Sequence, residues 1–376
     1  MAKLGEVCKL NMGQSPDSSS YNDTGDGIPF FQGNADFGEI HPNIRVWCNA
    51  PTKIAHPGEI LISVRAPIGA MNIADCECCI GRGLASISAD EAICTTKYLW
   101  YGISSKIEEL NAKGTGSTFK AINKKTLEET EIPIRDLMEQ ERIAANLDRV
   151  TALISLRKQQ LAKLDELVKA RFVEMFGDPV ANIATWPIER LEKHLTIIGG
   201  YAFKSDGFRA KGIPVLRIGN INSGYFQPTN MVYWHDDSTL ERYKMHPGDL
   251  VISLTGTVGK NDYGNVCILG NDYSEYYLNQ RNAKLELKET LNGIYLSELL
   301  KFPQIKGRLT GISRGIRQAN ISNKDILSLP ILIPPISLQK QFAAFVERVD
   351  QQKQSVQKSL DKLELMKKAL MQEYFG

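Results

Sequence analysis

The sequence predicts an α+β fold. Two mixed, β-rich globular parts are separated by an antiparallel two-helix coiled coil, and the halves are related as a pseudo-two-fold internal repeat. Three observations predict it. The 376-residue chain is written twice, at an offset that drifts from 185 to 199. Short β-branched runs follow Pro-Gly turns in each copy. Each copy closes on a segment of about 40 residues with apolar positions in heptad spacing.

The duplication is plainest where His56-Pro57-Gly58-Glu59-Ile60-Leu61-Ile62-Ser63 returns as His246-Pro247-Gly248-Asp249-Leu250-Val251-Ile252-Ser253. Gly27-Ile28-Pro29 returns as Gly212-Ile213-Pro214, and Gly13 as Gly200. Ile122 matches Ile321, and from Gln140 to Gly177 the first copy runs without a gap against Gln339 to Gly376, with 13 of 38 positions identical. Insertions gather in the first ~130 residues of each copy, where surface loops tolerate them. The closing segment tolerates none, as a measured spacing would require.

Residues 60–64 and 250–254 read as strands leaving a Pro-Gly turn, and residues 213–218 and 265–269 read alike. Residues 97–110 and 291–306 are expected to form one helix each. Asp136-x-x-Glu139 after Pro133 is a capping-box pattern, Ser337 after Pro334-Pro335 is the expected N-cap of the second long helix, and Gly177 before Pro179 is a stop. The seam of the first helix is Ile143, Leu147, Val150, Ile154, Leu161, Leu164 and Val168. That of the second is Phe342, Val346, Val349, Val356, Leu360, Leu363 and Leu370. Arg157, Arg171, Lys353 and Lys367 interrupt the two seams. Equal length and phase predict that the helices pair with each other as a rod of about 60 Å, at ~1.5 Å per residue. Globular parts alternating with antiparallel helices would be carried to opposite ends, as a dumbbell.

Lys+Arg of 45 against Asp+Glu of 43 leaves a formal charge of +2, which excludes a strongly basic, histone-like binder but not a local basic face. No apolar run approaches the ~20 residues of a membrane span, and no secretory leader is expected at the N-terminus. An odd count of seven cysteines, two of them adjacent, fits reduced thiols and a cytoplasmic location better than a disulfide framework.

Catalytic constellations are missing. There is no Walker-type loop, no Rossmann fingerprint, and no Asn/Asp-Pro-Pro-aromatic motif; Ile333-Pro334-Pro335-Ile336 has the prolines without the flanking groups. Cys76-x-Cys78-Cys79 departs from zinc spacing, and the second copy has only Cys267. Asp272 with Glu286-x-Lys288 resembles a nuclease spacing but arises easily by chance in a charged chain. No catalytic residue, metal or cofactor is therefore expected in this chain.

The positive signal is an acid-free polar loop at the same place in each copy, from Lys113 to Lys125 and from Arg308 to Lys324. Glycines admit close approach, hydroxyls and N–H groups bind phosphate oxygens, and Arg, Gln and Asn read base edges. One frame carrying different side chains is what two readers of two different words require. The candidate DNA contacts are Arg65, Arg82, Lys113, Ser117, Thr118, Lys120 and Lys124 in the first copy. In the second they are Arg217, Asn220, Lys260, Arg281, Arg308, Arg314, Arg317 and Gln318. Tyr201, Phe203 and Lys204 rank below these, since aromatics there are more often core.

The order of parts resembles the specificity (S) subunit of type I restriction–modification systems over the whole chain. The local marks are the Gly-Ser/Thr loop, then Ile132-Pro133-Ile134 through Glu139-Gln140-Glu141-Arg142-Ile143, and Leu332-Ile333-Pro334-Pro335-Ile336 through Leu338-Gln339-Lys340-Gln341-Phe342. The first copy departs by having one proline rather than two. The resemblance implies target-recognition domains at 1–134 and 178–333, and helical spacers at 135–177 and 334–376. It implies a non-catalytic subunit whose domains each read half of a bipartite site on double-stranded DNA. The spacers set the gap and dock two modification (methyltransferase) subunits that hold S-adenosylmethionine, while a restriction subunit adds ATP- and Mg-dependent motor and nuclease activity. Two other classes are kept open: a single-chain methyltransferase or nuclease, and a coiled-coil scaffold that binds only proteins.

Overall fold

The computed structural model describes residues 1–116, 120–179, 181, 186–221, 224–257, 260, 262–311 and 318–376, with Gln318 described by its backbone alone. The duplicated run Ile60–Ser63 opens with three successive apolar residues, where a half-exposed strand would alternate apolar with polar; all four of its residues are buried, so the strand is covered on both faces. Successive side chains leave a strand on opposite sides. Ile60 and Ile62 accordingly enter one apolar cluster, and Leu61 another with Phe31, Ala55 and Cys78. In the second copy Leu250 and Ile252 enter one cluster, and Val251 another with Leu216, Met245 and Tyr276. The strand is the wall between two cores in each repeat.

Contacts divide the chain into unit 1, Met1–Lys158 with Gln357–Gly376, and unit 2, Gln159–Val356. In unit 1 the strands used below are β1 (Cys8–Met12), β2 (Ile28–Phe31), β3 (Ile60–Ser63), β4 (Met71–Ile73), β5 (Cys78–Ile80) and β6 (Leu84–Ala89). One sheet is antiparallel in the order β1-β6-β3-β4. A second sheet holds β2 parallel to β5, with Phe30 opposite Cys79. Unit 2 repeats the plan with β7 (Leu195–Gly199), β8 (Ile213–Leu216), β9 (Leu250–Ser253), β10 (Thr255–Thr257), β11 (Val266–Ile268), β12 (Tyr276–Leu278), β13 (Asn282–Leu287) and β14 (Gln318–Asn320). Its antiparallel sheet runs β7-β13-β9-β11, and β8 lies parallel to β12 with Val215 opposite Tyr277. The turn before β3 and β9 places Gly58 at φ 89° and Gly248 at φ 90°, a backbone region that L side chains avoid.

The single helices expected over 97–110 and 291–306 are each two. Thr96–Ser105 (α1) ends at Lys106, which has φ −101° and ψ 4°, and Ile107–Lys113 (α2) begins anew. After Lys124–Glu128 (α3) and the long helix Leu137–Phe176 (α4), the second repeat gives Gly293–Leu300 (α5) and Pro303–Thr310 (α6). Pro303, lacking an N–H, suits a first helical position and cannot continue the helix before it. Asn323–Leu327 (α7) leads to the second long helix, Ile336–Phe375 (α8). Ser337 is inside α8 rather than its cap, because the Pro335 carbonyl already accepts the N–H groups of Leu338 and Gln339.

Each unit contains half of both long helices, running antiparallel. In unit 1 Lys158 reaches Glu364 at 3.1 Å, and Phe375 joins the cluster of Ile143, Leu147 and Tyr98. In unit 2 Lys353 reaches Asp165 at 2.6 Å, and Phe172 meets Phe342 edge-on. The fourteen seam residues are buried or half-buried. Of the charged interruptions, burial works to depress the Lys353 ammonium, but its bond to Asp165, with Asp350 and Glu298 nearby, outweighs burial and raises its pKa. Lys367 has no such rescue: burial and Lys158 lower it. No helix among the described residues is long and apolar enough to cross a membrane.

Candidate nucleic-acid interface

Both units gather the same four backbone segments at one end of the antiparallel sheet. In unit 1 the segment after β1 is held by Gly13 N–H to Leu84 O (2.9 Å) and Gln14 N–H to Ile80 O (3.0 Å). The segment after β3 joins the turn at 81–83 through Val64 N–H to Gly83 O (2.9 Å), and joins the polar loop through Ile122 N–H to Val64 O (2.9 Å). In unit 2 the matching bonds are Gly200 N–H to Asn282 O (3.1 Å), Tyr201 N–H to Leu278 O (2.8 Å), Leu254 N–H to Arg281 O (2.9 Å) and Ile321 N–H to Leu254 O (2.8 Å). The repeated Ser63 and Ser253 are buried, and each hydroxyl accepts from the loop beyond its strand, from Ala70 N–H (2.9 Å) and Asn265 N–H (3.1 Å).

The repeated glycine makes this packing possible. A Cβ on Gly13 would lie 2.2 Å from the Gly81 carbonyl oxygen, and one on Gly200 would lie 2.0 Å from that of Asn279. Both are far inside van der Waals contact, so strand and turn touch only because no side chain stands between them.

Arg65, Arg82 and Lys120 come together in unit 1. Arg65 bridges to Ala121, Ala66 N–H donates to Lys120 O (3.0 Å), Arg82 sits in the 81–83 turn, and all three side chains are exposed. Lys113 ends α2 and Lys124 starts α3, with Thr115 bridging back to Ala121. These two are not unopposed, because the adjoining helices bring Glu109 to Lys113 (2.6 Å) and Glu128 to Lys124 (3.3 Å). A stretch free of acid in sequence is thus not free of it in space. Ser117 and Thr118 lie outside the described residues.

In unit 2 Arg281 follows the 279–280 turn, and Lys260 follows β10, which pairs with β14 through Thr257 and Gln318. Both side chains are exposed, as is Arg308 on α6. The Asp262 carboxylate is spent on Thr257 N–H (2.9 Å), which holds it below the usual carboxylate range. Arg314 and Arg317 lie outside the described residues, and the side chain of Gln318 is not described. Two candidates are corrected. Asn220 is 2% exposed, and its amide is used within its own loop, accepting from Arg217 N–H and donating to Gln227 O and Thr229 O. Arg217 is half-buried and its guanidinium donates to Asn230 O. Both staple a loop rather than face a ligand.

The other chemical candidates disperse. Cys78 and Cys79, adjacent on β5, point into different cores, and Cys8 and Cys94 lie in a third. No group of three metal-ligating side chains forms among the described residues. Glu286 accepts from Thr196 on the neighbouring strand, and Lys288 donates to Lys193 O.

The chain matches the family described as "Type I restriction modification DNA specificity domain" over residues 1–166 and again over 185–365. The chain belongs to this family. The double match falls on the duplication described above. Among curated members, a provisionally named MjaX specificity subunit of Methanocaldococcus jannaschii is 43% identical over 161 residues, 43% of this chain and 38% of that one. The MjaVIII type I restriction enzyme specificity subunit of the same organism is 25% identical over 292 residues, 73% of this chain and 68% of that one. The EcoKI specificity subunit of Escherichia coli is 25% identical over 65% of this chain and 55% of that one. The chain therefore spans well under two thirds of two of these three relatives. The fold is that of a crystal structure of the type I S subunit from M. genitalium, at a TM-score of 0.60 and 16% identity, covering 100% of this chain and 95% of that one.

Tyr98 and Tyr295 and the buried Gln140 and Gln339 explain the family's marks around the Ile-Pro run. The tyrosine hydroxyls donate to the backbone of that run, at Pro133 O and Leu332 O (both 2.9 Å). Sequence reasoning passed over Gln14 and Gln280, which stand in the converging segments; their closeness to the repeated glycines and turns was the available signal.

Proposed function

We propose that the chain is the sequence-reading subunit of a type I restriction–modification complex: each unit reads half of a bipartite DNA site, and catalysis is supplied by other polypeptides. The carrying observation is the duplicated loop cluster. Two backbones agree bond for bond while their exposed side chains differ, which serves two recognition surfaces for two different sequences. The 40-residue helices, equal in length and gap-free, suit a ruler that fixes the spacer between half-sites.

Docking of two copies of one modification subunit is supported by exposed identity. Ala145/Ala344, Arg149/Arg348, Ala170/Ala369 and Glu174/Glu373 are the same in both copies yet exposed, so packing within the chain does not account for them. In unit 2 four of these positions line a groove of about 800 Å³ together with Leu167 and Phe345. S-adenosylmethionine would belong to that modification subunit, and ATP and Mg to a restriction subunit.

Selection of the full-length chain on random-sequence duplexes at low salt tests the reading. Two enriched words at a constant gap, with affinity falling steeply on a log–log salt plot, are expected. Recovery of no word, or affinity indifferent to salt, overturns it in favour of a protein-binding scaffold.

A further inference from the structure

We propose that Gln14 with Arg82 in unit 1, and Tyr201 with Gln280 in unit 2, determine specificity at equivalent points of the two recognition surfaces. The inference rests on the reading above and names residues within it. The equivalence comes from the backbone alone. Gln14 and Tyr201 each follow the glycine that presses on the turn, and each donates its N–H to the last residue of the strand before that turn. Arg82 and Gln280 each occupy the residue after the turn's first carbonyl, which accepts from Leu84 N–H (3.0 Å) and Asn282 N–H (2.9 Å). A second tie braces each pair: Arg82 N–H donates to Oγ of Ser15, the residue after Gln14 (3.2 Å), and Gln280 N–H donates to Tyr201 O (2.9 Å).

A locked backbone excludes loop drift as the reason the side chains differ. All four are exposed, and among the described residues no hydrogen bond or ion pair takes up the side chains of Gln14, Arg82 or Gln280. Lys113 and Lys124, by contrast, are already paired. The Tyr201 ring is braced by Phe203 (5.0 Å) and Tyr243 (5.3 Å) and remains 38% exposed, a rigid apolar face at the surface. The chemistry divides accordingly. Gln suits the N6/N7 edge of adenine, Arg the O6/N7 edge of guanine, and a braced aromatic ring the methyl of thymine.

Selection on random duplexes, repeated with Gln14→Ala, Arg82→Ala, Tyr201→Ala and Gln280→Ala, decides the matter. Each variant is expected to blur one or two base positions in one word by about 5- to 150-fold and leave the other word sharp. The first two variants should act on one word and the last two on the other. Variants that melt like wild type and select both words unchanged, or that blur both equally, overturn the assignment. If Tyr201→Ala loses stability with its ring contacts, Gln280→Ala, which has none to lose, decides for unit 2. Failure of the wild-type chain to select any word is the distinct result that sinks the underlying reading, and this assignment with it.

Discussion

Thr95 N–H donates to Gln140 Oε1 at 2.9 Å, joining the start of a short helix in unit 1 to the first turn of the long helix α4. The same amide donates to Ile93 O and Arg135 O, both at 2.8 Å. One repeat later Gln339 accepts from Asn292 N–H (2.8 Å) and donates to Pro334 O (2.8 Å) and Thr290 O (3.2 Å). Both glutamines are fully buried. The bond fixes where each long helix leaves its globular part, the geometry a ruler must control. Gln140→Ala would strand a buried donor and two carbonyls, a loss of about 1–3 kcal/mol. Urea denaturation should register it, while exposed Glu141→Ala stays near wild type. Equal stability of the two variants would refute the structural role.

Phe375 belongs by sequence to the second repeat but by packing to unit 1, where it is buried against Tyr98 with ring centroids 4.9 Å apart. Phe176 makes the reciprocal contact with Tyr295 in unit 2, also at 4.9 Å. Phe375→Ala should therefore cost about 3–5 kcal/mol and loosen unit 1 rather than unit 2. Hydrogen exchange would locate the damage; protection lost first in residues 159–356 would contradict the exchange of helix ends.

The close approach at Gly200 offers a test of the loop cluster. Gly200→Ala must push the 279–281 turn away, since the added carbon meets backbone at 2.0 Å. Gly219→Ala meets nothing within 4 Å and serves as the control. Gly200→Ala is expected to weaken cognate DNA binding at least 10-fold and lower the melting temperature, with Gly219→Ala changing neither. Undiminished binding by a folded Gly200→Ala chain would mean that the turn takes no part in recognition.

The repeat made much of this legible before any coordinates. Heptad spacing marked residues that the helices bury, and the match of Gly13 with Gly200 was read as part of the repeat, with the backbone contact behind it visible only in the fold. Exposed loops carry no such signal. The burial of Asn220 depends on a loop that folds back to offer the carbonyls of Gln227 and Thr229, and no spacing announces that. The acids opposite Lys113 and Lys124 lie one helical turn away on the lysines' own helices, just outside the window, so an acid-free window in sequence overstated the positive field. The first split was obscured because apolar periodicity carries across Lys106 and only the backbone turn there breaks it, whereas the second stands in the sequence as Pro303, which cannot continue the helix before it.

Thiol chemistry should follow burial. Burial pushes Cys8, Cys78, Cys94 and Cys267 up to about 12, leaving almost no thiolate at pH 8. Cys76 is half-buried, its pKa raised by burial and by Asp75, yet it is the most accessible of the seven. A chromogenic disulfide reagent at pH 8 should modify Cys76 first in the native chain and all seven after denaturation. Rapid native labelling of Cys78 or Cys267 would show that the cores open readily.

The ion pair of Lys353 with Asp165 gives the helix pair a pH signature. Asp165 is largely exposed, so the pair contributes only about 0.2–1 kcal/mol. Because the folded state raises the Lys353 pKa, that contribution is full below the unfolded value of about 10.4 and is lost as pH climbs through the folded value. Asp165→Asn should therefore be slightly less stable than wild type at pH 8, with the gap closing as pH climbs past the unfolded value of about 10.4 and shrinking in high salt. Denaturation of both chains at pH 8 and pH 11 measures it. A gap that widens with pH would mean that burial, rather than the carboxylate, governs this lysine.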